Sequence, residues 1–130
     1  MKQILLLLLT VFIVELMQAQ SIDVKKGIIY VDGKECLKVD KSDPNSVSIA
    51  DLNDNDIIYL KYIHNTRYAS LYNKIIFLHA HETFTSKTFI YTVKLLMKRL
   101  LDTKVIDNCT LNPDRIDNFV LKYDENVEWE

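Results

Sequence analysis

Residues 86–102 read Ser-Lys-Thr-Phe-Ile-Tyr-Thr-Val-Lys-Leu-Leu-Met-Lys-Arg-Leu-Leu-Asp and contain the clearest helical pattern in the chain. On a helix that turns by about 100° per residue, its apolar side chains fall within one arc of roughly 140°. They are Ile90, Val93, Leu96, Met97, Leu100 and Leu101. The basic residues Lys94, Lys98 and Arg99 lie on the other, solvated side. The spacing predicts one long amphipathic helix, with Thr85 or Ser86 as its N-cap, that packs on a sheet.

The sequence before this helix reads as strands joined by turns. Asp32-Gly33 separates two strand-like runs and predicts a two-residue type I′ turn, because Gly adopts positive φ at no cost and Asp tolerates it. The turn sets a register in which Val31 faces Lys34 and Ile29 faces Cys36. One side of this hairpin would then face the core: Ile28, Tyr30, Leu37 and Val39. Further strands are expected at 46–50, 57–64 and 71–81.

A second, shorter helix is expected near the C-terminus. Asn112-Pro113-Asp114 combines a cap residue, a proline at the first helical position and a carboxylate at the positive end of the dipole. Apolar residues follow at helical spacing to Tyr123. The acidic tail, 124–130, is expected to fray, with Trp129 as a residue that could dock. Strands followed by helices predict an α+β domain: an antiparallel β-meander of four to five strands packed on one long C-terminal helix plus one shorter helix.

The N-terminal segment 1–20 has the features of a cleaved signal peptide. Lys2 precedes an apolar run from 4 to 14, and Ala19 offers a small residue to a peptidase. The run is short for a membrane span. The sequence therefore predicts a secreted or periplasmic protein with no membrane span after cleavage, a single domain at 21–123 and an acidic tail at 124–130.

Charge and cysteine content narrow the function classes. The formal net charge of −2 gives no support to nucleic-acid binding, which favours a clustered basic surface. Cys36 and Cys109 would meet an oxidising compartment, where an even count permits a disulfide. Whether these two residues form a disulfide or stay as free thiols is left open by the sequence.

One cluster of residue types points to metal chemistry. On a strand, His79 and His81 would share one side and offer two imidazoles to a divalent metal, with Glu82 or His64 completing the site. The set falls short of the four ligands of a structural zinc site. No nucleophile motif or phosphate-cradling loop is present, so neither an enzyme nor a cofactor is expected.

Two predicted strands, 57–64 and 71–81, are apolar on both faces. Such strands usually lie in a sheet that is covered on both sides, whereas one long helix covers only one side. A partner protein or a second copy of the chain would cover the rest. The leading expectation is an exported, non-enzymatic binding or self-association domain. The alternatives are a metal-binding protein that uses His79, His81 and Glu82, and an envelope structural protein.

Several turn and cap motifs resemble those of small secreted Bacteroidota proteins of unknown function. They are Gly-Ile-Ile-Tyr-Val-Asp-Gly-Lys-Glu at 27–35, Ser-Ile-Ala-Asp-Leu-Asn at 48–53, and Thr-Leu-Asn-Pro at 110–113 with Asn-Phe-Val-Leu-Lys-Tyr at 118–123. The Ala-Gln-Ser sequence at 19–21 is similar to the end of their signals. The resemblance implies an exported single domain and carries over no catalytic or binding residue.

Overall fold

Seven strands follow one another along the chain and form one antiparallel sheet in the same order. The computed structural model describes residues 20–129, so the predicted signal peptide lies outside the described residues except for Gln20. The strands are β1 (Ile22–Lys25), β2 (Ile28–Val31), β3 (Lys34–Asp43), β4 (Ser46–Ala50), β5 (Asp56–His64), β6 (Leu71–Phe77) and β7 (Glu82–Ser86). The predicted α+β class and antiparallel meander are confirmed, but the sheet has seven strands instead of four to five.

The helices and a small hairpin follow the sheet. These elements are α1 (Val93–Asp102), β8 (Ile106–Asp107), β9 (Thr110–Leu111), a 3₁₀ turn (Pro113–Arg115) and α2 (Ile116–Tyr123). Asn112 caps the 3₁₀ turn as predicted, because its side chain accepts a hydrogen bond from the Asp114 N–H. The predicted long helix is only ten residues long.

The predicted turn between β2 and β3 is confirmed. Asp32 and Gly33 have φ values of 52° and 81°, as a type I′ turn requires, and Val31 lies opposite Lys34. A second turn of the same kind, at Lys26 and Gly27, joins β2 to the unpredicted strand β1. Both turns need positive φ, which Gly supplies without strain.

A β-bulge overturns the predicted register beyond this turn. Ile29 lies opposite Leu37 and not opposite Cys36, because Cys36 is an extra residue in β3. Cys36 and Leu37 are therefore both buried, at 2% and 1% exposure. The predicted core side of β2 is wrong: Ile29 and Val31 are buried, whereas Ile28 and Tyr30 are only half-buried on the other face.

The helix predicted within residues 86–102 begins later in the chain than expected. Ser86 ends β7, and α1 begins at Val93 with Thr92 as its N-cap, whose Oγ1 accepts from the Leu95 N–H at 3.1 Å. Ile90, predicted on the apolar side, is 36% exposed in the intervening loop. From Val93 onward the prediction is confirmed, because five apolar side chains of α1 are buried: Val93, Leu96, Met97, Leu100 and Leu101.

Both helices contribute to a single core on one face of the sheet. α1 contacts β1 at one edge, and α2 contacts β7 at the other. Between them, Phe77 and Phe84 stack at 6.1 Å and meet the ring of Phe119 edge-on. The Cys36 and Cys109 sulfur atoms are at disulfide distance, with their Cα atoms 5.1 Å apart, and link β3 to the β8–β9 hairpin.

The other face of the sheet carries no helix in the described part of the chain. Its apolar side chains, such as Tyr59, Ile63 and Ile76, are half-buried. Lys61 and Lys74 lie opposite each other among them. We call this surface the open face. It is the mixed polar and apolar surface that an antiparallel sheet commonly presents to water.

Candidate interaction site

The C-terminal segment 124–129, which we call the strap, lies along the outer edge of β7. The Glu125 N–H donates to the Thr85 carbonyl at 2.9 Å, and the Thr85 N–H donates to Asp124 Oδ1 at 3.0 Å. The Val127 N–H donates to Thr85 Oγ1 at 2.9 Å, and the Val127 side chain is only 9% exposed. The strap thereby covers an edge that would otherwise leave backbone groups unpaired. The expectation of a frayed tail is wrong.

Besides Asp124, two further carboxylates of the strap, Glu125 and Glu128, hold it in place. Glu125 accepts hydrogen bonds from Ser86 Oγ at 2.6 Å and from the backbone N–H groups of Lys87 and Thr88 at 3.1 and 3.0 Å. Burial raises the pKa of Glu125, but these donors outweigh it, so the pKa is lowered overall. The contacts that hold the strap thus favour the ionised form of Glu125.

Glu128 holds the far end of the strap over the open face. It accepts from Lys74 Nζ at 2.8 Å and from the Tyr72 hydroxyl at 2.7 Å, and these hydrogen bonds lower its pKa. Burial raises the pKa of Tyr72, and the bond to Glu128 raises it further. Tyr72 therefore stays a neutral donor at neutral pH.

A groove of about 410 Å³ lies where the strap, α2 and the start of β7 meet. The residues that line it are Glu82, Asp117, Asn118, Val120, Leu121, Asp124 and Asn126. Three of them are carboxylates, and none of the described residues that line it is Lys or Arg. We call this feature the acidic groove. A smaller cavity of about 220 Å³ shares Asp124 and Asn126 with it and extends to Trp129.

Leu121 and Trp129, one on each side of Asp124 and Asn126, are the most exposed large apolar side chains among the described residues. Leu121 is 83% exposed and Trp129 is 81% exposed, whereas the next, Phe89, is 45% exposed. Single exposed apolar side chains are ordinary on protein surfaces. Leu121 lines the acidic groove and Trp129 lines the smaller cavity beside it, so together they add two highly exposed apolar side chains to an acidic surface that the domain does not use for its own core.

The predicted metal ligands occupy different positions from those expected. β6 ends at Phe77, so His79 and His81 lie in the turn 78–81 and not on a strand, and both are exposed. The argument that placed them on one strand face is therefore wrong. Glu82 begins β7 and lines the acidic groove, whereas His64, at the end of β5, pairs with the opposite end of β6.

No described cluster of three or more His, Cys, Asp or Glu side chains in residues 20–129 is arranged to hold a metal ion. With His79 and His81 in a turn, neither Glu82 nor His64 joins them in such a cluster. A metal site at these residues stays a prediction of the sequence.

Arg99 was predicted on the solvated side of α1 but packs among aromatic rings. Its guanidinium carbon is 4.3 Å from the ring centre of Phe89, 4.6 Å from that of Tyr123 and 5.3 Å from that of Tyr91. It also donates to the Tyr91 hydroxyl. This cluster joins α1, α2 and the loop between β7 and α1. Arg99 is the cation that its aromatic rings contact.

No protein-family model, no curated protein and no solved structure matches this chain. Among residues 20–129, none of the helices combines the length and apolar character needed to cross a bilayer.

Proposed function

We propose that this chain is an exported, non-enzymatic binding domain that takes a basic, partly apolar segment of another protein into the acidic groove. The observation that carries the proposal is the exposure of Leu121 and Trp129, at 83% and 81%, beside a groove lined by three carboxylates. Large aromatic side chains such as Trp are enriched at protein–protein interfaces, where they act as anchors.

The chemistry of the groove defines the kind of partner. Glu82, Asp117 and Asp124 favour a segment that carries Lys or Arg, because opposite potentials across an interface steer association and suppress wrong partners. Leu121 and Trp129 favour aliphatic or aromatic side chains between those charges. A tryptophan buries about 150–250 Å² when covered. At about 25 cal/mol per Å², this corresponds to roughly 4–6 kcal/mol before the costs of association.

The open face of the sheet is the weaker candidate surface for binding. Its apolar side chains, including Tyr59 and Ile76, are half-buried and lie among the lysines Lys61 and Lys74. Glu128 of the strap already occupies part of it. Self-association through this face, and a purely structural role in the envelope, therefore have less support than binding at the acidic groove.

Export is supported by two features of different origin. The sequence 1–20 has the pattern of a signal peptide, and Cys36 and Cys109 are at disulfide distance, which is typical of proteins from oxidising compartments. Both features fit a secreted or periplasmic location. The partner would then be another exported protein or an exposed segment of one.

Trp129 is the only tryptophan in the chain and lines the smaller cavity that shares Asp124 and Asn126 with the acidic groove, so we expect its fluorescence to report on binding there. The test is a titration of the oxidised chain, residues 21–130, with a synthetic peptide of alternating Lys and Leu, followed by tryptophan emission. We expect saturable binding that shifts the emission to shorter wavelength and weakens as salt rises, because salt screens the charges. A peptide of alternating Glu and Leu serves as the control for charge.

The variant Leu121→Ser should weaken binding about tenfold, as truncation of an interface anchor does. Leu52→Ser is the matched control, because Leu52 is 41% exposed in the turn between β4 and β5 and does not line the groove. Equal binding of the Glu-Leu peptide, or equal loss of affinity in the two variants, would overturn the proposal.

A further inference from the structure

The two edges of the sheet differ in how their backbone groups are satisfied. At β7 the strap pairs with the edge. At β1 the turn Lys26-Gly27 makes Lys25 and Ile28 the first pair that exchanges backbone hydrogen bonds, and in an antiparallel ladder every second pair along the strands does the same. The Asp32 N–H accordingly donates to the Ser21 carbonyl at 2.9 Å, two steps further along.

This alternation leaves the backbone groups of Ile22 and Val24 on the outer edge of the sheet, although the side chain of Ile22 is buried in the core. Their N–H and C=O groups point away from β2, and within residues 20–129 no hydrogen bond reaches them from another element. Asp23 and Lys25, which flank Val24, are exposed. The edge therefore offers a short run of free backbone donors and acceptors between two opposite charges.

The geometry points to β1 as a homodimer interface, in which β1 pairs antiparallel with β1 of a second copy and Val24 lies opposite Val24 of that copy. In this register each Asp23 faces a Lys25 across the two-fold axis, because the two residues lie at equal distances on either side of Val24. Cross-strand pairs of opposite charge are stabilising, whereas like charges directly opposite are destabilising. The sequence of β1 is thus complementary to itself.

The competing register is disfavoured by the same charges. Sliding the strands so that Ile22 faces Val24 of the second copy would add backbone hydrogen bonds. It would also set Asp23 directly opposite Asp23 of the second copy. The charges at 23 and 25 therefore select the register centred on Val24.

The assembly would close at two copies. A two-fold interface uses the same edge of both chains, and the other edge of each sheet, at β7, is covered by its own strap. Two seven-stranded sheets would become one continuous sheet without free edges that extend it further. This inference is independent of the proposed function, because the acidic groove lies at β7 and α2, across the sheet from β1.

The test is sedimentation equilibrium of the oxidised chain, residues 21–130, at concentrations up to about 1 mM, which detects a weak dimer. Asp23→Lys puts two lysines on each strand, and Lys25→Asp puts two carboxylates there. Each change should raise the dimer dissociation constant by roughly tenfold or more, because two attractive pairs become repulsive. Both residues are exposed, so circular dichroism should show unchanged folding.

Two rescues separate pairing from general charge effects. The double variant D23K/K25D restores opposite pairs and should dimerise like the original chain. An equimolar mixture of D23K with K25D should form heterodimers, although each variant alone stays monomeric.

A chain that stays monomeric at about 1 mM overturns the inference, and the short charged strand would then serve to prevent edge pairing. Dimerisation that neither single substitution affects also overturns it, because the interface would lie elsewhere. Either result would leave peptide binding at the acidic groove untouched.

Discussion

Loss of the covalent link between Cys36 and Cys109 should be the most damaging change to the stability of this domain. Cys36 occupies the bulge of β3 and is 2% exposed, and Cys109 lies between β8 and β9. The link joins residues 73 positions apart and holds the β8–β9 hairpin against the sheet. The double variant Cys36→Ala/Cys109→Ala removes this link.

The expected loss of stability follows from the length of the loop that the disulfide closes. For the observed separation of 73 residues, the loop-closure entropy removed from the unfolded chain corresponds to about 4 kcal/mol at 25 °C. For a domain of this size, a loss of about 4 kcal/mol lowers the melting temperature by roughly 15 °C or more. Total stabilities of single domains are about 5–15 kcal/mol, so the variant should be close to unfolding.

The assay is urea unfolding of the oxidised chain, residues 21–130, followed by circular dichroism. Each single variant should be as destabilised as the double variant, because either substitution breaks the same link. Reduction of the original chain should give a similar loss, which separates the missing link from the missing side chains. If the free energy of unfolding of the double variant lies within about 1 kcal/mol of that of the oxidised chain, the prediction is wrong, because loop closure would then contribute little to stability.

Two further predictions concern the strap and the start of α1, the two elements that the sequence rules placed wrongly. Because Glu125 and Glu128 have lowered pKa values in the folded chain, their contribution is present above the unfolded pKa and is lost as pH falls through the folded one. NMR of the Val127 amide should therefore show that the strap is released in acid. The double variant Glu125→Gln/Glu128→Gln should release the strap at neutral pH. A strap that stays bound in this double variant would contradict the prediction. Thr92→Ala should cost about 1 kcal/mol in urea unfolding by removing the N-cap of α1, whereas Lys94→Ala on the exposed side of α1 should change little. Equal effects would place the helix start elsewhere.

Local rules predicted those parts of the fold that depend on neighbouring residues. The Asp32-Gly33 turn needs only residues that accept positive φ, and the sequence contains them. The apolar spacing from Val93 to Leu101 likewise fixes which side of α1 is buried. These features follow from the chain within a few residues, and the structure confirms them.

The misplaced helix start shows where local rules end. Ser86 and Thr92 both have hydroxyl groups that can cap a helix, and nothing nearby in the sequence decides between them. Ser86 instead ends β7, where it lies opposite Asn73 of β6, and donates to Glu125, which is 39 positions away along the chain. The bulge at Cys36 is another distant effect, because it allows both Cys36 and Leu37 to reach the core.

The candidate site was only partly visible in the sequence. The sequence pattern indicates Glu82 only as a metal ligand beside His79 and His81. The groove that Glu82 forms with Asp124 depends on where the strap lies, which the sequence pattern does not predict. The helical spacing of α2 does predict one exposed apolar residue beside the groove. On a helix that turns by about 100° per residue, Leu121 falls well outside the arc of the other apolar residues of α2, so its exposure was predictable.

The strap links the protection of the sheet to the proposed binding site. Asp124 accepts from the Thr85 N–H at the edge of β7 and also lines the acidic groove. A segment bound there would contact residues that hold the edge closed, and by linkage any ligand that prefers the closed strap stabilises it. Binding at the groove and coverage of the β7 edge would therefore rise and fall together, whereas the β1 edge, which the strap does not reach, would stay independent of both.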